Sequence, residues 1–199
     1  MNEYQKSLMG VVICALSCVA GCAQQKAAST THLTKHVQYE IAEPDPSVRI
    51  SIRPSEKLVE NTMLLAGEGV VRASDIRGTS NHLILTFEKR TAAPEHKDLA
   101  AYSAWGDAML KEREIKTVDL KLARNPIKDA GLPFIAKTYV NVVKPGTAAP
   151  NAICDAAGLR FETPGGFWTI SWNADLGQID KSMWVAEELL SKMDISKVQ

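Results

Sequence analysis

The stretch that most constrains this chain is Leu159 to Trp172, because its pattern leaves one local structure open. Leu159 and Phe161 alternate with Arg160 and Glu162, and Thr163-Pro164-Gly165-Gly166 supplies turn chemistry. Trp168, Ile170 and Trp172 then alternate with Phe167, Thr169 and Ser171. Strict alternation on both sides of such a turn predicts a β-hairpin with one apolar face. Loop parity sets the register. Pairing Glu162 with Phe167 places Phe161 opposite Trp168 and Leu159 opposite Ile170, whereas a three-residue loop would place Phe161 opposite Thr169 and mix the faces. An even, four-residue loop is therefore expected.

The same reasoning extends along the rest of the chain. Val37, Tyr39 and Ile41 alternate with polar residues, Glu43-Pro44-Asp45-Pro46-Ser47 follows, and Val48, Ile50 and Ile52 alternate again, which predicts a second hairpin. Leu83, Leu85 and Phe87 mark a strand, as do Val118, Leu120 and Leu122. Phe134 to Val143 is apolar on both faces and reads as a central strand. Val70-Val71 fits a strand or a turn. A short helix is expected over 56–65 after Ser55, broken by Gly67 and Gly69. Pro94 introduces a second helix, with Leu99, Tyr102, Trp105 and Met109 at helical spacing. Gly106 weakens that helix by about 1 kcal/mol relative to alanine unless close packing needs the space. Asp180 is expected to cap a final helix carrying Met183, Ala186, Leu190 and Met193. The fold class is α+β: a mostly antiparallel sheet of five to seven strands with two main helices, one of them C-terminal, in a single domain over 36–199.

What precedes that domain has the three parts of a secretory leader: Lys6 near the start, an apolar run from Leu8 to Ala20, and small residues at its end. The run is too short for the roughly 20 residues of a membrane-spanning helix. Its end, Val19-Ala20-Gly21-Cys22, resembles the bacterial lipobox, in which the cysteine is diacylated and becomes the first mature residue. The resemblance implies cleavage of 1–21, lipidation of Cys22 (palmitate-type chains) and, with Ala23 rather than aspartate next, the periplasmic face of a Gram-negative outer membrane. Two or more acyl chains make such attachment stable. Residues 22–35, small and polar, read as a tether with a reach of about 20 Å.

Loss of the leader removes Glu3 and Lys6 and leaves 22 residues of each sign. No net charge draws the domain to nucleic acid. Cys14 and Cys18 also leave, so Cys154 is the one remaining thiol once Cys22 is acylated, and no disulfide is expected. The hairpin of Leu159 to Trp172 followed by the helix of Ser182 to Lys192 resembles the C-terminal half of the DcrB and PsbP-like domains. That family occurs among bacterial lipoproteins and proteins that assist membrane complexes. Where the family has a proline-glycine-tryptophan turn, this chain has Glu43-Pro44-Asp45-Pro46, and no functional residue is carried over.

No local motif carries chemistry. Cys154 stands beside Asp155, whose charge opposes thiolate formation, and reads as a buried small residue. His32 and His36 stand four apart without a third ligand, His82 begins a strand, and His96 lies in a helix's first turn. No catalytic residue, metal site or cofactor is expected. Trp168, Trp172 and Trp184, with the rigid turn at Pro164, are the candidate interface. The function expected is that of a membrane-anchored, non-enzymatic module binding an envelope protein. The alternatives are an inhibitor of a toxic hydrolase, or an envelope enzyme or small-ligand carrier whose site is assembled from distant residues.

Overall fold

The computed structural model describes residues 39–41, 45–67, 69–92, 96–109, 115–117, 124–143 and 153–198. Two antiparallel sheets organise them. The larger has the order β3-β4-β5-β9-β8-β7-β6 and the smaller the order β1-β2-β10. In chain order the strands are β1 (Tyr39–Ile41), β2 (Val48–Ile52), β3 (Leu58–Glu60), β4 (Val70–Ile76), β5 (His82–Lys89), β6 (Ile115–Thr117), β7 (Phe134–Val143), β8 (Ile153–Glu162), β9 (Gly166–Ala174) and β10 (Met193–Lys197). The helices are α1 (Leu99–Met109), the single turn α2 (Pro126–Asp129) and α3 (Trp184–Lys192). The architecture is α+β, as the sequence leads one to expect.

The β8–β9 hairpin has the register that its alternation demands: Glu162 faces Phe167, Phe161 faces Trp168, and Leu159 faces Ile170. Thr163 and Gly166 close the turn by exchanging backbone hydrogen bonds of 2.9 and 3.3 Å. Gly166 is required there, since a Cβ would stand 2.1 Å from the Glu88 carbonyl oxygen of β5. One face of this hairpin continues through Leu83, Leu85 and Phe87 of β5 into the main core. There Phe161 and Trp168 stack with their ring centroids 5.9 Å apart. Val185, Ala186, Leu189 and Leu190 of α3 and Val48, Ile50 and Ile52 of β2 cover that face. Burial of these apolar side chains, at roughly 1.5–3 kcal/mol each, is the main driving term.

Several expectations are corrected. The stretch 56–65 is not a helix: Leu58 is buried and pairs with Ile76 while Val59 and Glu60 stay exposed, and only Leu64–Ala66 forms a 3-10 turn. The Ser55 hydroxyl accepts from the amides of Lys57 and Leu58 and leads the chain into the strand instead. Val70-Val71 belongs to strand β4. The middle of the large sheet is β9, with β7 one place from the edge. Asp180 lies in a 3-10 turn, Asp180–Ser182, and α3 begins at Trp184 behind Met183 with no side-chain cap. Met193 ends the helix and starts β10, which pairs with β2 opposite Ile52. A strand therefore follows the last helix. The 125–133 connection holds α2, whose Asn125 side chain accepts from the amides of Ile127 and Lys128. His96 precedes α1 rather than lying in its first turn. The leader, Cys22, the tether and the predicted strand at 118–122 lie outside the described residues.

Candidate functional site

The second face of the large sheet is built by the residues that alternation assigns to water. Across it run the rows Thr86–Thr169–Arg160–Ile135 and Ile84–Ser171–Gly158–Lys137, with Ala156 beside Tyr139 below them. Helix α1 lies over part of these rows. Its first amide, Leu99 N, donates to Glu162 Oε2 at 2.9 Å, so a β8 carboxylate meets the positive end of the helix. Tyr102 stacks on Phe167 at 4.5 Å between centroids. His96, itself buried, sits 4.7 Å from the Trp105 ring and 5.4 Å from Tyr102.

Further along α1 a charged cluster is enclosed. Asp107 accepts from Lys137 Nζ, from Arg160 Nη1 at 3.3 Å and from the Tyr139 hydroxyl at 3.2 Å. Arg160 also donates to Ser103 Oγ at 3.1 Å. Gly106 makes the cluster fit: a Cβ there would be 2.7 Å from Arg160 Nη2. The glycine that weakens the helix is the one that admits the guanidinium. Burial raises both phenols to about 12: Tyr102, whose hydroxyl lies 3.3 Å from Thr169 Oγ1, and Tyr139 beside Asp107. At neutral pH both are neutral, and Tyr139 donates to Asp107. Asp107 is committed to three donors, so the cluster holds α1 on the sheet rather than presenting a free base.

Two other polar groupings stand out. Asp45 is buried and joins the turn before β2 to the β8–β9 turn. Its Oδ1 accepts from Ser47 N at 2.9 Å and Ser47 Oγ at 2.6 Å, and its Oδ2 accepts from Trp168 Nε1 at 2.9 Å and from the Thr163 hydroxyl. Burial alone would push this carboxyl up, but these hydrogen bonds from Ser47, Thr163 and Trp168 outweigh it and hold the pKa below the ordinary value. On the large sheet, Asp75 Oδ1 lies 2.7 Å from both Asn61 Nδ2 and His82 Nδ1, and His82 N donates to Asn173 Oδ1 at 2.7 Å. The aspartate orients the imidazole. Among the described residues no group of three or more histidine, cysteine, aspartate or glutamate side chains is placed to hold a metal ion.

No protein-family model and no curated protein matches the chain. Among solved structures it is similar to the solution structure of cyanobacterial PsbP (CyanoP) from Synechocystis sp. PCC 6803. The two share 12% identity at a TM-score of 0.47, over 85% of this chain and 98% of that one. This is a weak likeness of backbone path, and no residue role is taken from it.

The four candidate interface residues separate. Trp168 and Trp172 are 0% and 2% exposed, and their indole N–H groups are satisfied by Asp45 and by Ser182 Oγ at 3.1 Å. Both belong to the core. Trp184 is 36% exposed and Pro164 is exposed, so these two alone are on the surface. Cys154 is buried. Among the described residues no helix is long and apolar enough to cross a membrane.

Proposed function

We propose that this chain is a lipid-anchored envelope protein whose folded domain binds a protein partner and carries out no reaction of its own. The observation that carries the reading is the leader ending in Val19-Ala20-Gly21-Cys22, followed by a small, polar stretch and then one α+β domain. The commitment of the polar clusters supports the second half. Asp45 and Asp107 each spend their oxygens on intramolecular donors, and Arg90 is used by Glu162 Oε1 and the Thr163 carbonyl. These groups fasten α1, the β2 turn and the central hairpin to one another. A module of this kind works by presenting a rigid surface.

Purification of the tagged protein from its host's own membranes after mild crosslinking, with Cys22→Ser alongside, tests both halves. The variant is expected to lose the lipid and leave the membrane fraction, and the wild type to bring down one partner in comparable amount. Retention of Cys22→Ser on the membrane refutes the anchor. A wild-type protein that always comes down alone refutes the binding role.

A further inference from the structure

We propose that the flank of α3 that carries Trp184 is a second membrane contact, seated on the headgroup region of the bilayer to which the chain is anchored; this rests on the lipid-anchor reading above. The flank is a ridge made by residues 53–57 lying beside α3. Arg53 N donates to Lys192 O at 2.9 Å and Arg53 Nη2 to Ser191 O at 3.2 Å, at the C-terminal end of α3. Two residues on, the Ser55 hydroxyl donates to Glu188 Oε1 at 2.7 Å. Two further on, Lys57 Nζ lies 3.5 Å from Glu188 Oε2 and 5.5 Å from the centroid of Trp184.

The anchor enters this ridge from one end. Tyr39 pairs with Ile52, next to Arg53, so residues 22–38 join the described chain where α3 finishes. Trp184 lies at the other end of α3, about 13 Å away at 1.5 Å per residue. At up to about 3.5 Å per residue, residues 22–38 are long enough to let the whole ridge lie against the surface that holds Cys22. Trp184 is the tryptophan that suits such a place: an indole 36% exposed with an ammonium over its ring, the pairing of aromatic body and snorkelling cation found at membrane interfaces. One such side chain binds weakly on its own, but attachment through Cys22 makes the second contact intramolecular. Along the ridge Arg53, Lys57 and Lys192 are balanced by Glu56, Glu187 and Glu188, so the contact does not call for anionic lipid.

The test uses full-length acylated protein in vesicles of zwitterionic phosphatidylcholine, with plain or brominated acyl chains. The difference in tryptophan emission between wild type and Trp184→Phe reports Trp184 alone, and phenylalanine keeps the aromatic packing. That difference is expected to lose most of its intensity in brominated vesicles, and to lose it equally in high salt. A protein that floats with the vesicles yet shows the same Trp184 emission in both overturns this proposal and leaves the anchor standing. A wild type that does not float overturns both. A photo-reactive group placed at position 184 that crosslinks to protein rather than phospholipid in host membranes also overturns it.

Discussion

Replacing Asp45 by asparagine tests whether one buried carboxylate holds the turn before β2 to the central hairpin. The substitution is nearly isosteric, so its effect comes from hydrogen bonding. Each oxygen of Asp45 faces one hydroxyl, which can rotate, and one N–H, which cannot: Ser47 N on Oδ1 and Trp168 Nε1 on Oδ2. Whichever way the amide turns, its NH2 meets one of the fixed donors. An orphaned buried donor costs about 1–3 kcal/mol, and the remaining bonds lose the extra strength of a charged acceptor. The smaller desolvation cost of a neutral group offsets part of this. A net loss of about 2–3 kcal/mol at neutral pH is expected from urea unfolding followed by tryptophan emission. The pH dependence has a definite sign. The folded pKa lies below the unfolded value of about 3.9, so the contribution is complete above that value and is lost as pH falls through the folded pKa. The gap between wild type and Asp45→Asn should be constant above about pH 5 and close in stronger acid. A loss smaller than about 0.5 kcal/mol at neutral pH, less than one ordinary hydrogen bond, would refute the argument.

Two further outcomes follow from the outer face. Gly106→Ala gains about 1 kcal/mol of helix propensity, but its Cβ displaces an Arg160 guanidinium bonded to Asp107 and Ser103, worth about 1.5–3 kcal/mol; denaturant unfolding should show net destabilisation of about 1 kcal/mol, and a stabilised variant would mean the guanidinium moves freely. Tyr102 and Tyr139 are raised from an ordinary 10 to about 12 by burial, so the folded state keeps protons that the unfolded chain releases. The stability they contribute is whole below pH 10 and lost between about 10 and 12; ultraviolet titration should show these two phenolates appearing only with alkaline unfolding, and ordinary titration of both in the folded protein would count against their burial.

The two ends of the described chain meet in the small sheet. β2 is flanked by β1 on one side and β10 on the other, so residues 48–52 cannot complete their pairing until residues 193–197 are in place. Such contacts are distant in sequence, the kind that slows folding. Asp45 reaches from the turn beside β2 to Thr163 and Trp168, so the segment between β1 and β2 is held to the middle of the large sheet by buried hydrogen bonds as well as by its edge pairing. A pull applied at Tyr39 is therefore shared with the core.

Elements whose pattern depended on neighbours in sequence were legible. The Leu159 to Trp172 register, the β1–β2 hairpin and the Leu99–Tyr102–Trp105 stripe all follow from alternation or helical spacing, because one face of each is apolar. Where two elements cover both faces of a sheet, that rule loses its force. Arg160, Glu162 and Thr169 alternate with core residues and read as solvated, yet α1 encloses them, and their partners Asp107, Leu99 N and Tyr102 lie tens of residues away. Asp45 was hidden for the same reason, since a carboxylate between two prolines reads as an exposed turn until Trp168 and Thr163 are brought to it. The misread helix at 56–65 has a related cause: Leu58 and its apolar neighbours fit either period over so short a run, and pairing with β4 decides the matter. One residue did carry the missing information. A glycine in the middle of an otherwise good helix costs stability unless something must come close, and at Gly106 that something is Arg160, so the local flaw in α1 was the sequence's trace of the polar layer beneath it.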